Sequence, residues 1–175
     1  MFRTISFLIC IFISFSAIEA RAEITLPQEP ADEIGYFCNM TVTNHSASKA
    51  QIFLKKWRNK PLWFSTIRDV FIYINSPEED QRIMAIYVND MGIADWDKPE
   101  AGTWIAADKA FYVIGSTRRN GMGGASIVPF SSIDNANEFI KNYGGEIKSF
   151  NEMPKSYIFS TGEFEDTDNM GHMSP

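Results

Sequence analysis

A short pattern occurs twice along this chain, and the distance between its copies constrains the fold more than any other feature. Lys49-Ala50-Gln51-Ile52-Phe53-Leu54-Lys55 matches Lys109-Ala110-Phe111-Tyr112-Val113-Ile114-Gly115, and Phe64-Ser65-Thr66-Ile67 matches Phe130-Ser131-Ser132-Ile133. In each copy a β-rich run comes first, around residues 51–55 in the first half. A short second strand follows, at 60–64 and at 126–130. Thr66-x-x-Asp69 and Ser131-x-x-Asp134 then supply start signals for helices, in the spacing of a capping box with Asp at the third position.

Ile67, Val70, Phe71 and Ile74 make one face of the first helix, which stops before Ser76-Pro77 because the residue ahead of a proline avoids the helical region. Ile133, Ala136, Phe139, Ile140 and Tyr143 make the face of the second, which ends at Gly144-Gly145. Another strand closes each half, at 83–89 and at 146–150. A further strand is expected to open each half, at 38–43 and at 104–107. The fold class expected is α+β, two similar small β-β-α-β lobes packed together. A lobe of about 60 residues buries little core alone. Two lobes sharing the 14% of aromatic residues between them bury more.

The ends of the chain read differently. Arg3 precedes an uncharged apolar run from Ile5 to Ile18, and Ala20-Arg21-Ala22 has the small-x-small pattern of a cleavage site. Residues 1–22 therefore read as a secretory signal peptide, the run being shorter than the roughly 20 residues of a membrane span; an uncleaved anchor is the alternative. Cys10 lies inside the apolar run behind the bulky Ile9, unlike a lipid-attachment cysteine, so a lipid anchor is not expected. Residues 23–35 are an extended leader, 36–100 the first lobe, 101–154 the second, and 155–175 a disordered acidic tail with Met170, His172 and Met173. The formal net charge of −6 leaves no basic stripe of the kind nucleic acid requires.

Export leads to an oxidising compartment where cysteines are usually paired. Cys38 is then the only cysteine left, so it pairs between chains, reacts, or holds a metal. Cys38-Asn39-Met40 puts a thioether two residues from the thiol, and on a strand both sulfurs would share a face. His45 follows in a polar run, where its imidazole could complete the shell of a copper thiolate as a fourth metal ligand. Met122, in Asn120-Gly121-Met122-Gly123-Gly124, has glycines that let its backbone approach another element. Each has an ordinary alternative: Met40 and Cys38 as core, Met122 as a loop cover, His45 as a solvated histidine. Thiolate with thioether is a donor set for Cu(I), whereas structural zinc asks for more thiolates or imidazoles. Paired catalytic carboxylates, a phosphate loop and a nucleophile–base spacing do not stand out, and the chain is expected not to be an enzyme. An exported thiol-redox protein acting through Cys38, or a non-catalytic module dimerised through it, are the competing readings.

The set Cys38-Asn39-Met40-Thr41-Val42 with His45, Ile86-Tyr87-Val88-Asn89-Asp90, Asp95-Trp96, residues 106–116, Gly121-Met122-Gly123, Val128-Pro129-Phe130, Phe139 and Gly144-Gly145 resembles the NosL family. These are copper lipoproteins and periplasmic chaperones of nitrous oxide reductase maturation. The resemblance covers about Tyr36 to Met153. It implies two β-β-α-β lobes and Cu(I) held by Cys38 and Met40, with Met122 as a third sulfur. It also implies a membrane ABC transporter as partner and nitrous oxide reductase as the direct or indirect destination. Three departures stand out. Asn39 replaces the family's glycine between Cys and Met, Gly121 replaces a proline, and a lipoprotein cysteine is not evident.

Overall fold

The computed structural model describes residues 25–57, 59–99 and 101–160. The expected signal peptide at 1–22 and the Met/His part of the tail lie outside the described residues.

Among the described residues, seven strands and three α-helices follow one another as β1 (Ala50–Leu54), β2 (Leu62–Phe64), α1 (Ile67–Asn75), β3 (Ile83–Asn89), β4 (Trp104–Ala106), β5 (Phe111–Ile114), β6 (Val128–Phe130), α2 (Ile133–Tyr143), β7 (Glu146–Ser149) and α3 (Lys155–Ile158). The first sheet has the order β2-β1-β3-β4 and the second β6-β5-β7. All pairings within the two sheets are antiparallel. The repeat read from the sequence therefore has a topological counterpart. In each lobe the first strand lies between its hairpin partner and the strand that follows the helix.

Local chemistry sets the helix ends. Thr66 caps α1, its Oγ1 accepting from the Asp69 amide at 3.2 Å, and α1 ends at Ser76. At α2 the sequence expectation is off by one residue. Ser132, not Ser131, is the cap, accepting from the Asp134 amide at 3.2 Å. Ser131 instead donates its amide (3.1 Å) and hydroxyl to Asp90, at the end of β3. Gly144 ends α2 at φ 71°, a conformation that favours glycine.

Three further expectations need correction. Residues 38–43 are not a strand: the chain turns there and enters a 3-10 turn at Val42–Asn44. Trp104–Ala106 is a strand, but it adds to the edge of the first sheet beside β3 instead of opening the second. The tail expected to be disordered from residue 155 begins with α3. Ile158 is buried there, and the Tyr157 hydroxyl donates to the Ser126 carbonyl at 3.0 Å, which ties this turn to the second lobe.

The core runs across both lobes. Ile52 and Leu54 of β1 and Phe71 of α1 belong to one cluster with Tyr112 and Ile114 of β5 and with Ile158. The rings of Phe71 and Tyr112 meet edge-on, centroids 5.6 Å apart. Alternation along β5 then sends Val113 to the other face, where Val128, Phe130 and Ala136 form a second cluster beneath α2. The second sheet is thus covered on both faces, by α2 and by the first lobe. Neither lobe has a closed core without the other.

Candidate metal centre

Residues 35–40 form a tight turn with Cys38 and Asn39 at its tip. The Gly35 amide donates to the Met40 carbonyl at 2.8 Å, and the Asn39 amide to the Gly35 carbonyl at 2.9 Å. Asn39 takes φ 54°, a left-handed conformation that asparagine tolerates better than other non-glycine residues. The turn delivers the Cys38 sulfur to 3.2 Å from Ser65 Oγ, just after β2. Gly35 leaves room for it: a Cβ there would sit 2.5 Å from Cys38 Sγ. Cys38 is unpaired and partly exposed. The strand argument for Cys38 and Met40 fails, because a turn, not period-two alternation, sets their directions. Met40 is nonetheless 41% exposed, its thioether next in line after the turn.

Met122 comes from the other lobe. Asn120 organises its loop by accepting the Met122 and Gly124 amides on one oxygen, at 2.9 and 3.1 Å, and by donating to the Ala125 carbonyl at 3.1 Å. Gly121 presses against residues 45 and 46. A Cβ on it would stand 2.5 Å from the Ser46 carbonyl oxygen and 2.8 Å from His45 Cβ. That contact carries Met122 across to the first lobe. There it shares with Cys38 a cleft of about 380 Å³, at the start of α1, whose walls include Phe37, Arg68, Asp69 and Ser160. Met122 keeps 44% of its surface exposed. Burial pushes the Asp69 carboxyl up from its ordinary value, against its Thr66 hydrogen bond and the Arg68 charge.

The structure places His45 apart from the Cys38 cleft. Its Nδ1 lies 3.3 Å from the Gly121 carbonyl, and its Nε2 is buried with no hydrogen-bond partner. The ring faces a separate cavity with Lys49, Glu29, Asp95 and Trp104. As placed, it braces the Met122 loop from behind and offers no nitrogen to the Cys38 cleft. Lys49, 3% exposed, donates to the Ser46 and Ala47 carbonyls at 2.7 and 2.6 Å, which fixes the segment that receives Gly121. Burial lowers its pKa to about 8.

The structure thus brings together Cys38 and Met122, with Met40 adjacent along the chain, and sets His45 apart. Among the described residues no three of His, Cys, Asp and Glu converge on a metal-sized site. The available donors are sulfur, which suits a soft ion. Sequence reasoning missed Ser65, Gly35, Asn120 and Lys49. Only the Asn-Gly dipeptide at 120–121, a turn signal, advertised itself.

Residues 28–158 match the family model described as NosL. A protein of Achromobacter cycloclastes named copper-binding lipoprotein NosL is 44% identical over 145 residues, 81% of this chain and 75% of that protein. One of the same name from Stutzerimonas stutzeri is 28% identical over 123 residues, 70% of this chain and 63% of its own length. The crystal structure of the copper chaperone NosL from Shewanella denitrificans superposes with a TM-score of 0.71 at 29% identity, over 76% of this chain and 98% of that one.

Proposed function

The chain belongs to the NosL family, and from that premise we propose that it is an exported carrier of Cu(I) that binds its cargo through Cys38, Met40 and Met122. The observation that carries this reading is the shared cleft: a partly exposed thiol from one lobe and an exposed thioether from the other, with a second exposed thioether, Met40, two residues along the chain from the thiol. A thiolate gives the site charge and strength. Thioethers are neutral, bind soft ions weakly and exchange easily. That combination suits capture and release better than permanent retention.

Loading displaces the thiol proton, since the thiolate is the ligand. The Ser65 hydroxyl, 3.2 Å from the sulfur, can donate to the thiolate and hold it at the cleft. Handover proceeds by ligand exchange, the thioethers leaving before the thiolate. The family resemblance supports nitrous oxide reductase as the destination and its membrane ABC transporter as the docking partner. The protein carries an ion and transforms nothing. Its relatives are named lipoproteins, which supports an exported protein.

Anaerobic titration of the reduced protein with Cu(I) against a competing chelator tests the site. Cys38→Ser should weaken binding by a hundredfold or more, and Met122→Ala by about tenfold. Unchanged affinity in Cys38→Ser sinks the proposal. Cu(I) should also protect Cys38 from alkylation; rapid alkylation that Cu(I) does not slow would favour the thiol-redox reading.

A further inference from the structure

The link between β1 and β2 reads Lys55-Lys56-Trp57-Arg58-Asn59-Lys60, four of the chain's 16 basic residues in one short stretch without an acid. The chain as a whole carries a net charge of −6, so this loop is a positive pole on an acidic protein. Every described residue of it is exposed, and Trp57 keeps 47% of its surface in water. The Lys56 ammonium lies 4.2 Å over the Trp57 ring. Lys56 also reaches Asp80 at 3.4 Å, but that carboxylate is shared with Arg82 at 2.9 Å, so one negative charge faces two cations.

A second observation places the loop relative to the rest of the chain. The arm leading into the fold passes directly against it: the Gln28 side chain donates to the Asn59 carbonyl at 2.9 Å, and the Gln28 amide donates to the Gln51 side chain of β1 at 2.9 Å.

We propose that the 55–60 loop docks this protein on an anionic lipid surface. The lysines meet headgroup phosphates, and Trp57 enters the interfacial layer, where an aromatic ring with a polar edge is at home. The acidic remainder of the molecule is repelled by the same surface, which fixes the orientation as well as the contact. β2 runs from this loop toward Ser65, which touches Cys38. At the rise of a strand, Ser65 stands roughly 15 Å from Lys60. The docked protein thus holds its thiol cleft away from the lipid, open to a partner. This inference does not depend on the metal reading.

The test uses the full chain with vesicles of phosphatidylcholine, alone or with phosphatidylglycerol, some carrying brominated acyl chains. The loop is read by quenching of the fluorescence that Trp57→Phe removes. Quenching should appear with phosphatidylglycerol, fall at high salt, and weaken at least tenfold in a Lys55→Glu, Lys56→Glu, Lys60→Glu variant. Because these side chains are exposed, the variant should keep its thermal midpoint and the reactivity of Cys38. Equal quenching on neutral and anionic vesicles, or no loss in the triple variant, overturns the proposal. So does a loop that binds an acidic protein while Trp57 stays unquenched on anionic vesicles.

Discussion

Asn39 shows why a departure from the family pattern is tolerated at the thiol. The turn needs φ 54° between Cys38 and Met40, which glycine accepts without cost and asparagine at a small one. A β-branched residue there would force the turn open and swing Cys38 from Ser65. Lys49 is the more expensive residue nearby. Burial lowers its pKa to about 8, from 10.5, so between these values the unfolded chain binds a proton that the folded chain does not. Stability therefore rises with pH across that interval. Above pH 10 the trend is opposed. Burial pushes the Tyr73 phenol up to about 12 and raises that of Tyr112 further, so ionisation there favours the unfolded chain. The rise is best read between pH 8 and 10. The thermal midpoint should climb over that window and stay flat in Lys49→Met. A wild-type midpoint that falls from pH 8 to 9.5 would contradict the assignment.

Between elements, Asp90 is the tie that matters most. It is buried at the end of β3 and accepts from the Gly92 amide at 2.9 Å and from both the amide and hydroxyl of Ser131. The next amide, Met91, donates to the Pro129 carbonyl at 2.9 Å, so the two lobes are stitched strand end to strand end. Asp90→Ala leaves buried donors without an acceptor and should cost about 2–3 kcal/mol. That is a fall of roughly 5–10 °C in the thermal midpoint for a domain of this size. A drop under 2 °C would mean that the stitch is dispensable. The same contact explains what the sequence hid. Two adjacent serines precede α2, and either could cap it; an aspartate 41 residues away claims Ser131 and leaves Ser132 to the helix. The helix faces and the order of strands were legible because apolar periodicity is local. In place of the strand expected at residues 38–43 stands a turn, since a left-handed Asn39 breaks a strand without disturbing the pattern of side-chain types. Partner choice for β4 depends on the neighbouring β3, and nothing in Trp104-Ile105-Ala106 specifies that. Cys38, Met40 and Met122 could be singled out by their chemistry. The bracing role of His45 could not, because it depends on the close approach of Gly121.

For the molecule as a whole, the doubled unit makes a cleft that neither half contains, because the thiol turn belongs to the first lobe and the Met122 loop to the second. The described residues end at that same place. Ser160, the last described residue, stands on the cleft wall, held by Arg68, whose Nη1 donates to its carbonyl at 2.8 Å and to its hydroxyl at 3.3 Å. Met170, His172 and Met173 follow along the chain. A stretch of ten residues spans at most about 35 Å when extended, so these donors are tethered within reach of Cys38. Tethering raises their effective concentration at the cleft to the millimolar range. Fixing free chain around an ion costs roughly 1–2 kcal/mol per residue ordered, which keeps such a contact weaker than the thiolate site. The tail should therefore collect Cu(I) and pass it inward without setting the final affinity. Truncation after Gly162 tests this: loading under limiting copper should slow several-fold while competition with a chelator gives the same endpoint. Equal loading rates for the two proteins would leave the tail with no part in uptake, and a weakened endpoint would make it a ligand of the tight site.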